Sequence, residues 1–326
     1  MKPLFIYLLL LTYYSSLSQS IEVRAVGITV NDIEKEKTFF KEILDFTCVR
    51  DTVYEDTETK NVYNCAQCSQ IRIVTLKLGA EQIKLLKFTG ENGRPYPPDS
   101  KSNDLWFQHI AIVVQDMDSA YHTLWNHHVH HISTSPQTLP SYLPAAAGIK
   151  AFYFTDPENH PLELIYFPEN KGADKWHRSQ GLFKGIDHTA IGISNTDLAK
   201  KLYTDVLGLV VAGHSENYGT EQEHLNQVFG ARLDITGLKA PSGMGVEFLN
   251  YITPRGGRLF PTESQPWDLW HYQTEITVDQ LEPVVQKLQN QNYKIISKIR
   301  NEDGKIGKQL LVRDQDGHAL LLIQKN

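Results

Sequence analysis

The chain has 326 residues, enough for about two domains at roughly 100–200 residues each. Hydrophobic residues at 41% and charged residues at 21% exclude a disordered or collagen-like chain and a polytopic membrane protein. A formal net charge of -6 supplies no basic field, so neither nucleic acid nor an anionic bilayer is expected as a partner.

Residues 1–20 (MKPLFIYLLLLTYYSSLSQS) place Lys2 before an apolar run, with small polar residues after it. That order is the order of a secretory signal peptide, and the run is too short to anchor in a bilayer. It predicts export to a periplasm or the exterior, with no membrane association of the mature chain. Cys48, Cys65 and Cys68 are odd in number, which excludes a disulfide scaffold. Cys65 and Cys68 fall between strand-type segments in what reads as a hairpin loop, and a local disulfide and a pair of inert thiols are both open.

Four strand-type segments resemble one another: residues 24–32 (RAVGITVND), 108–116 (QHIAIVVQD), 187–195 (DHTAIGISN) and 272–278 (YQTEITV). An amphipathic helical pattern follows each, at 32–46, 116–128, 195–209 and 278–291. Asp32, Asp116 and Asn195 are placed to cap the first three helices. Several short strands follow every helix. Ala25, His109, His188 and Gln273 occupy corresponding positions, with steps of 84, 79 and 85 residues. A period of that length means one supersecondary unit used four times.

A second internal match lies in two Pro-rich connectors, Gly93-Arg-Pro-Tyr-Pro-Pro leading to Asp104-Leu-Trp and Gly257-Arg-Leu-Phe-Pro-Thr leading to Asp268-Leu-Trp. The polar stretch 167–176 reads as the linker between an N-terminal domain, residues 21–170 with units one and two, and a C-terminal domain, residues 181–326 with units three and four.

This layout resembles the vicinal oxygen chelate superfamily, which includes glyoxalase I, extradiol dioxygenases and bleomycin-resistance proteins. The resemblance rests on Ile186-Asp-His-Thr-Ala-Ile-Gly-Ile193, Asp156-Pro-Glu-Asn-His-Pro-Leu-Glu163 and Gly245-Val-Glu-Phe-Leu249, and spans residues 21–326. It implies an α+β fold of four βαβββ modules paired into two half-open β-barrels. It also implies one metal ligand on the first strand and one on the last strand of each unit. Those positions are His109 and Glu163 in unit two and His188 and Glu247 in unit three. Unit one has Ala25 and Lys84, and unit four has Gln273, with His271 two residues earlier, and Leu321.

Two pairings are open. Sequential pairing puts His188 and Glu247 with Gln273 or His271. Crossed pairing gathers His109, Glu163, His188 and Glu247. Either set suits a divalent metal: zinc, iron, manganese or nickel. The implied reading is a metal-dependent enzyme that chelates adjacent oxygens of a small substrate for lyase or isomerase-type proton transfer, with Glu163 or Glu247 as base. The alternatives are an extradiol-type iron dioxygenase using His188, His271 and Glu247, and a metal-free small-molecule-binding protein. A monomer or homodimer is expected.

The other histidines read as structural. His127, His128, His130 and His131 cluster at a helix end, and His160 and His318 follow tight turns. His214 and His224 flank a polar loop and are candidates for substrate contact. Trp106, Trp270, Tyr251 and Phe154 read as core aromatics or cavity lining.

Overall fold

The computed structural model describes residues 21–299 and 307–325, so residues 1–20, where export is expected to be encoded, lie outside the described residues. Unit one comprises β1 (Glu22–Thr29), α1 (Ile33–Glu42), β2 (Thr47–Tyr54), α2 (Thr57–Val62), β3 (Gln70–Leu78) and β4 (Glu81–Thr89). Unit two has β5 (Gln108–Val114), α3 (Met117–Asn126), β6 (Gln137–Thr138), β7 (Lys150–Thr155) and β8 (Pro161–Tyr166). A short helix, α4 (Asp174–Arg178), occupies the linker.

Unit three contains β9 (Phe183–Ile193), α5 (Thr196–Lys200), β10 (Val210–Tyr218), α6 (Thr220–Asn226), β11 (Arg232–Lys239), β12 (Ser242–Gly243) and β13 (Gly245–Thr253). A π-helical segment, Lys201–Val206, continues α5. Unit four has β14 (Tyr272–Val278), α7 (Leu281–Asn290), β15 (Lys294–Ile295), β16 (Gln309–Arg313) and β17 (Ala319–Gln324).

The caps sit where the sequence puts them. Asp32, Asp116 and Asn195 accept hydrogen bonds from the backbone N–H of Lys35, Ser119 and Leu198, satisfying donors that the helix leaves free. Cys65 and Cys68 lie in the connection between the antiparallel strands β2 and β3, as the hairpin-loop reading expects. Helix α2 precedes them, and Cys65 and Cys68 are joined in a disulfide, buried beside Tyr63, Phe88 and Leu321.

The fold is α+β, with two sheets and crossed pairing. One sheet runs β15-β16-β17-β14-β1-β4-β3-β2, joining units four and one, and β12 pairs with β1. The other runs β10-β11-β13-β9-β5-β8-β7-β6, joining units three and two. Apolar residues of the helices and of both sheets, including Phe40 on α1, Leu288 on α7, Phe152 on β7 and Phe248 on β13, form one continuous core.

The connectors clasp each other reciprocally. Arg94 pairs with Asp268 at 2.6 Å and Arg258 with Asp104 at 2.7 Å, both carboxylates being almost fully buried. Each guanidinium also lies 4.6 Å from a tryptophan ring centre on the other connector, Trp270 and Trp106 respectively. Backbones approach so closely that a Cβ at Gly93 would meet the Trp267 carbonyl, and one at Gly257 the Asn103 carbonyl. Both turn histidines are buried anchors: His160 Nε2 lies 2.8 Å from the Leu269 carbonyl and His318 Nε2 2.7 Å from the Gly192 carbonyl.

Candidate metal centre

Strand alternation fixes which side chains reach the inner face of each sheet. In unit two, β5 pairs in parallel with β8, with Ala111 opposite Glu163. His109 lies two residues before Ala111, so its side chain shares that face with the carboxylate. Unit three repeats the geometry: Ala190 is opposite Glu247, and His188 lies two residues earlier. Antiparallel pairing of β5 with β9 then sets Ala111 opposite His188. Glu247, His188, His109 and Glu163 therefore come from four successive strands, β13, β9, β5 and β8.

The four groups converge. His109 Nε2 lies 3.0 Å from Glu163 Oε2, and His188 Nε2 lies 3.7 Å from the same oxygen and 3.4 Å from Glu247 Oε2. The two imidazole centres are 5.9 Å apart. Among the described residues, His109, Glu163 and His188 form a group whose ligand atoms all lie within 4.8 Å of one another. The other such group contains Cys65 and Cys68, whose sulfurs are committed to the disulfide.

A further acid orients His188. Its Nδ1–H donates to Asp187 Oδ2 at 3.0 Å, and Asp187 Oδ1 accepts from Trp176 Nε1 at 2.6 Å. With Nδ1 carrying the hydrogen, Nε2 turns its lone pair towards Glu163 and Glu247. That atom is buried and makes no hydrogen bond. A lone pair facing two carboxylate oxygens calls for a positive charge between them. A proton on Nε2 is one such charge: burial opposes it, but Glu247, Asp187 and Glu163 outweigh burial and push the His188 pKa up to about 10, and a cation bound there would take the proton's place. Burial also raises the Glu247 carboxyl, partly offset by His188. Two imidazoles and two carboxylates form a donor set that fits a divalent cation.

A cavity of about 250 Å3 opens onto His188, Glu163 and Glu247. Tyr153, Leu139, Ile149 and Leu225 form much of its wall. His109 sits deeper, fully buried and packed by Tyr153 and Phe107 with ring centres at 4.8 and 5.6 Å. A larger groove of about 870 Å3, bordered by Phe260, Tyr293 and Asp314, has no histidine among the described residues that line it. We place the candidate site at the smaller cavity because the ligand-competent groups meet there.

His271 and Gln273 belong to the other sheet. His271 Nε2 is 3.4 Å from Gln273 Oε1, and Gln273 Nε2 donates to the Tyr63 hydroxyl at 3.2 Å. Burial, with Arg313 nearby, holds His271 neutral with a pKa lowered to about 3. His214 does line the cavity, paired with Asp234 at 2.6 Å, whereas His224 is exposed and does not line it. Trp106 and Trp270 belong to the connector clasp, Phe154 to the core and Tyr251 to a hydrogen bond with Asn226. Sequence reasoning missed Asp187, Trp176, Tyr153, Asn217 and Gln222. Only Asp187 carried a local signal, as an acid beside a histidine on the same strand.

The model of the Glyoxalase/Bleomycin resistance protein/Dioxygenase superfamily matches residues 23–164 and 185–322. A search of curated proteins finds no match for the sequence. Among solved structures, glyoxalase I from Zea mays is similar with a TM-score of 0.61 and 14% identity, over 94% of this chain and 93% of that one. A putative dioxygenase from Bacillus subtilis subsp. subtilis str. 168 is similar with a TM-score of 0.55 and 12% identity, over 93% and 84%. Identities this low carry the fold alone. The family match covers both halves of the chain, so the chain belongs to the Glyoxalase/Bleomycin resistance protein/Dioxygenase superfamily.

Proposed function

We propose that the protein is a metal-dependent enzyme that binds a small substrate through adjacent oxygens and catalyses lyase or isomerase-type proton transfer. The observation that carries this reading is the meeting of two imidazoles and two carboxylates at one cavity, with His188 Nε2 buried and lacking a hydrogen bond. His109, Glu163, His188 and Glu247 would hold a divalent ion of zinc, iron, manganese or nickel type. Such an ion, when bound, supplies Lewis-acid polarisation of the substrate's oxygens.

The chain's own residues divide the remaining work. Asp187 holds the His188 ring in its tautomer and direction. Glu163, with its side chain 7% exposed, is wedged between the imidazoles and suits a fixed ligand. Glu247 is more open at 27% and faces the cavity, so it is the better placed of the two to move a proton to or from substrate. The apolar wall limits water around the reacting carbon.

The dioxygenase reading has one observation in its favour. His109, Glu163 and His188 alone make a two-His, one-carboxylate set, the donor pattern of non-haem iron oxygenases. The set drawn from His188, His271 and Glu247 has no comparable support, since His271 lies on the other sheet.

Metal analysis of the purified protein beside His188→Ala and Glu247→Ala tests the proposal. Wild type should carry about one ion per chain, His188→Ala close to none, and Glu247→Ala a reduced amount. The same trace metal in all three contradicts a metal enzyme, and oxygen uptake with iron bound would favour the dioxygenase. Export is proposed on residues 1–20, and the Cys65–Cys68 disulfide is compatible with an oxidising compartment. N-terminal sequencing of the mature chain checks it.

A further inference from the structure

Two side chains beside the cluster have no partner for a buried polar atom. Gln222, on α6, is 1% exposed, and Asn217, on β10, is 5% exposed. Gln222 Oε1 and Asn217 Oδ1 are both buried without a hydrogen bond, and both residues line the cavity that opens onto His188 and Glu247. Buried carbonyl oxygens of this kind are ordinarily satisfied. Two of them in one cavity wall, on two different elements, are acceptors awaiting a donor.

The charge of the wall restricts that donor. Among the described residues no lysine or arginine lines the cavity, and the histidine near its mouth, His214, is already held by Asp234. The cavity on the other sheet differs, since Arg24, Arg50 and Lys84 all border it. An anionic group entering beside Gln222 would lose its hydration, and the one group at the cavity floor able to carry positive charge, His188, is already faced by Glu163, Asp187 and Glu247. Leu139, Ile149 and Leu225 favour apolar surface on the same molecule. At about 250 Å3 the space is below the roughly 300–1,000 Å3 common for drug-sized ligands.

We infer that this cavity takes an uncharged, hydroxyl-bearing small molecule, with Asn217 and Gln222 accepting hydrogen bonds from its hydroxyls and apolar walls covering its carbon skeleton. The inference rests on the proposed function only in placing adjacent substrate oxygens at the cluster. It gives Asn217 and Gln222 the role of selecting neutral over acidic substrates. A thiol adduct carrying free carboxylates, such as a glutathione conjugate, is selected against.

The test is a calorimetric titration of the full chain with catechol and with 3,4-dihydroxybenzoate at neutral pH, metal content being measured on the same samples. These probes share the vicinal oxygens and differ by one carboxylate. Catechol should bind at least about tenfold more tightly, and Gln222→Leu should weaken catechol about tenfold with no change in metal content. Asn217→Leu, on a separate element, should weaken it similarly, and thermal melts check that both variants fold. Equal or tighter binding of the carboxylate, unchanged catechol affinity in both variants, or no saturable catechol binding overturns the inference. A metal-free protein that keeps the preference supports the inference and removes the metal enzyme. A metal-loaded protein without the preference does the reverse.

Discussion

The two sheets have the same construction and opposite chemistry. Register makes the comparison residue by residue. Where the β5–β9 sheet has His109, Glu163, His188 and Glu247, the β1–β14 sheet has Ala25, Lys84, Gln273 and Leu321. Lys84, opposite Gly27, occupies the place of Glu163, opposite Ala111. Its ammonium lies 2.5 Å from Glu275, which stands where the other sheet has Ala190. One sheet thus leaves a focus of carboxylates that calls for a cation, and the other supplies the cation from its own chain. The fold makes the cup, and four side chains decide whether it has room for an ion.

Removing that internal cation should break the comparison most visibly. Glu275 is buried, so Lys84→Met would leave an uncompensated charge and cost about 3–5 kcal/mol in urea unfolding. The double variant Lys84→Met/Glu275→Leu should recover most of the loss, because no charge is then stranded. If the double variant is as unstable as the single, the ion pair is not the organising feature of this cup.

A smaller effect appears in the pH dependence of the same sheet. His271 has a folded pKa of about 3, below the ordinary value of about 6.5, so the unfolded chain binds a proton that the folded chain excludes. Its contribution is fully present above pH ~6.5 and is lost as pH falls towards 3, by a few kcal/mol at most. Thermal melts between pH 7 and 4 should therefore show a shallower decline in His271→Gln than in wild type. Parallel declines contradict a buried neutral His271.

The centre on the other sheet should respond to its supporting residues. Asp187→Asn keeps the shape and loses the charge that orients His188, and should weaken zinc binding about 10–100-fold in competition with a chelator. Trp176→Phe removes only the hydrogen bond to Asp187 and should cost less, about 0.5–1.5 kcal/mol of binding. A larger effect from Trp176→Phe than from Asp187→Asn would mean that packing by α4, not charge, positions the ring.

Much of this was legible in the residues. The four first strands, the capped helices and the His–Glu pairs of units two and three repeat with little variation, because each unit must bury the same face. Crossed pairing was not legible. All four first strands present similar edges, and the choice depends on contacts across the chain such as Arg94 with Asp268 and Arg258 with Asp104. The short helices α2 and α6 span too few turns to produce a helical period, so they read as loop. Asn217 and Gln222 escaped notice because an amide on a strand or short helix has no pattern until its surroundings are known. His271 and Gln273 stand at or beside the ligand position that the family resemblance implies for unit four, and only the sheet order separates them from His188.

The number of metal sites tests the central claim most directly. Calorimetric titration of the metal-stripped full chain with zinc should give about one tight site per chain, lost in Glu163→Ala and unaffected by Gln273→Ala or His271→Ala. Two tight sites per chain, none, or loss of binding in Gln273→Ala would contradict the assignment of the metal to His109, Glu163, His188 and Glu247.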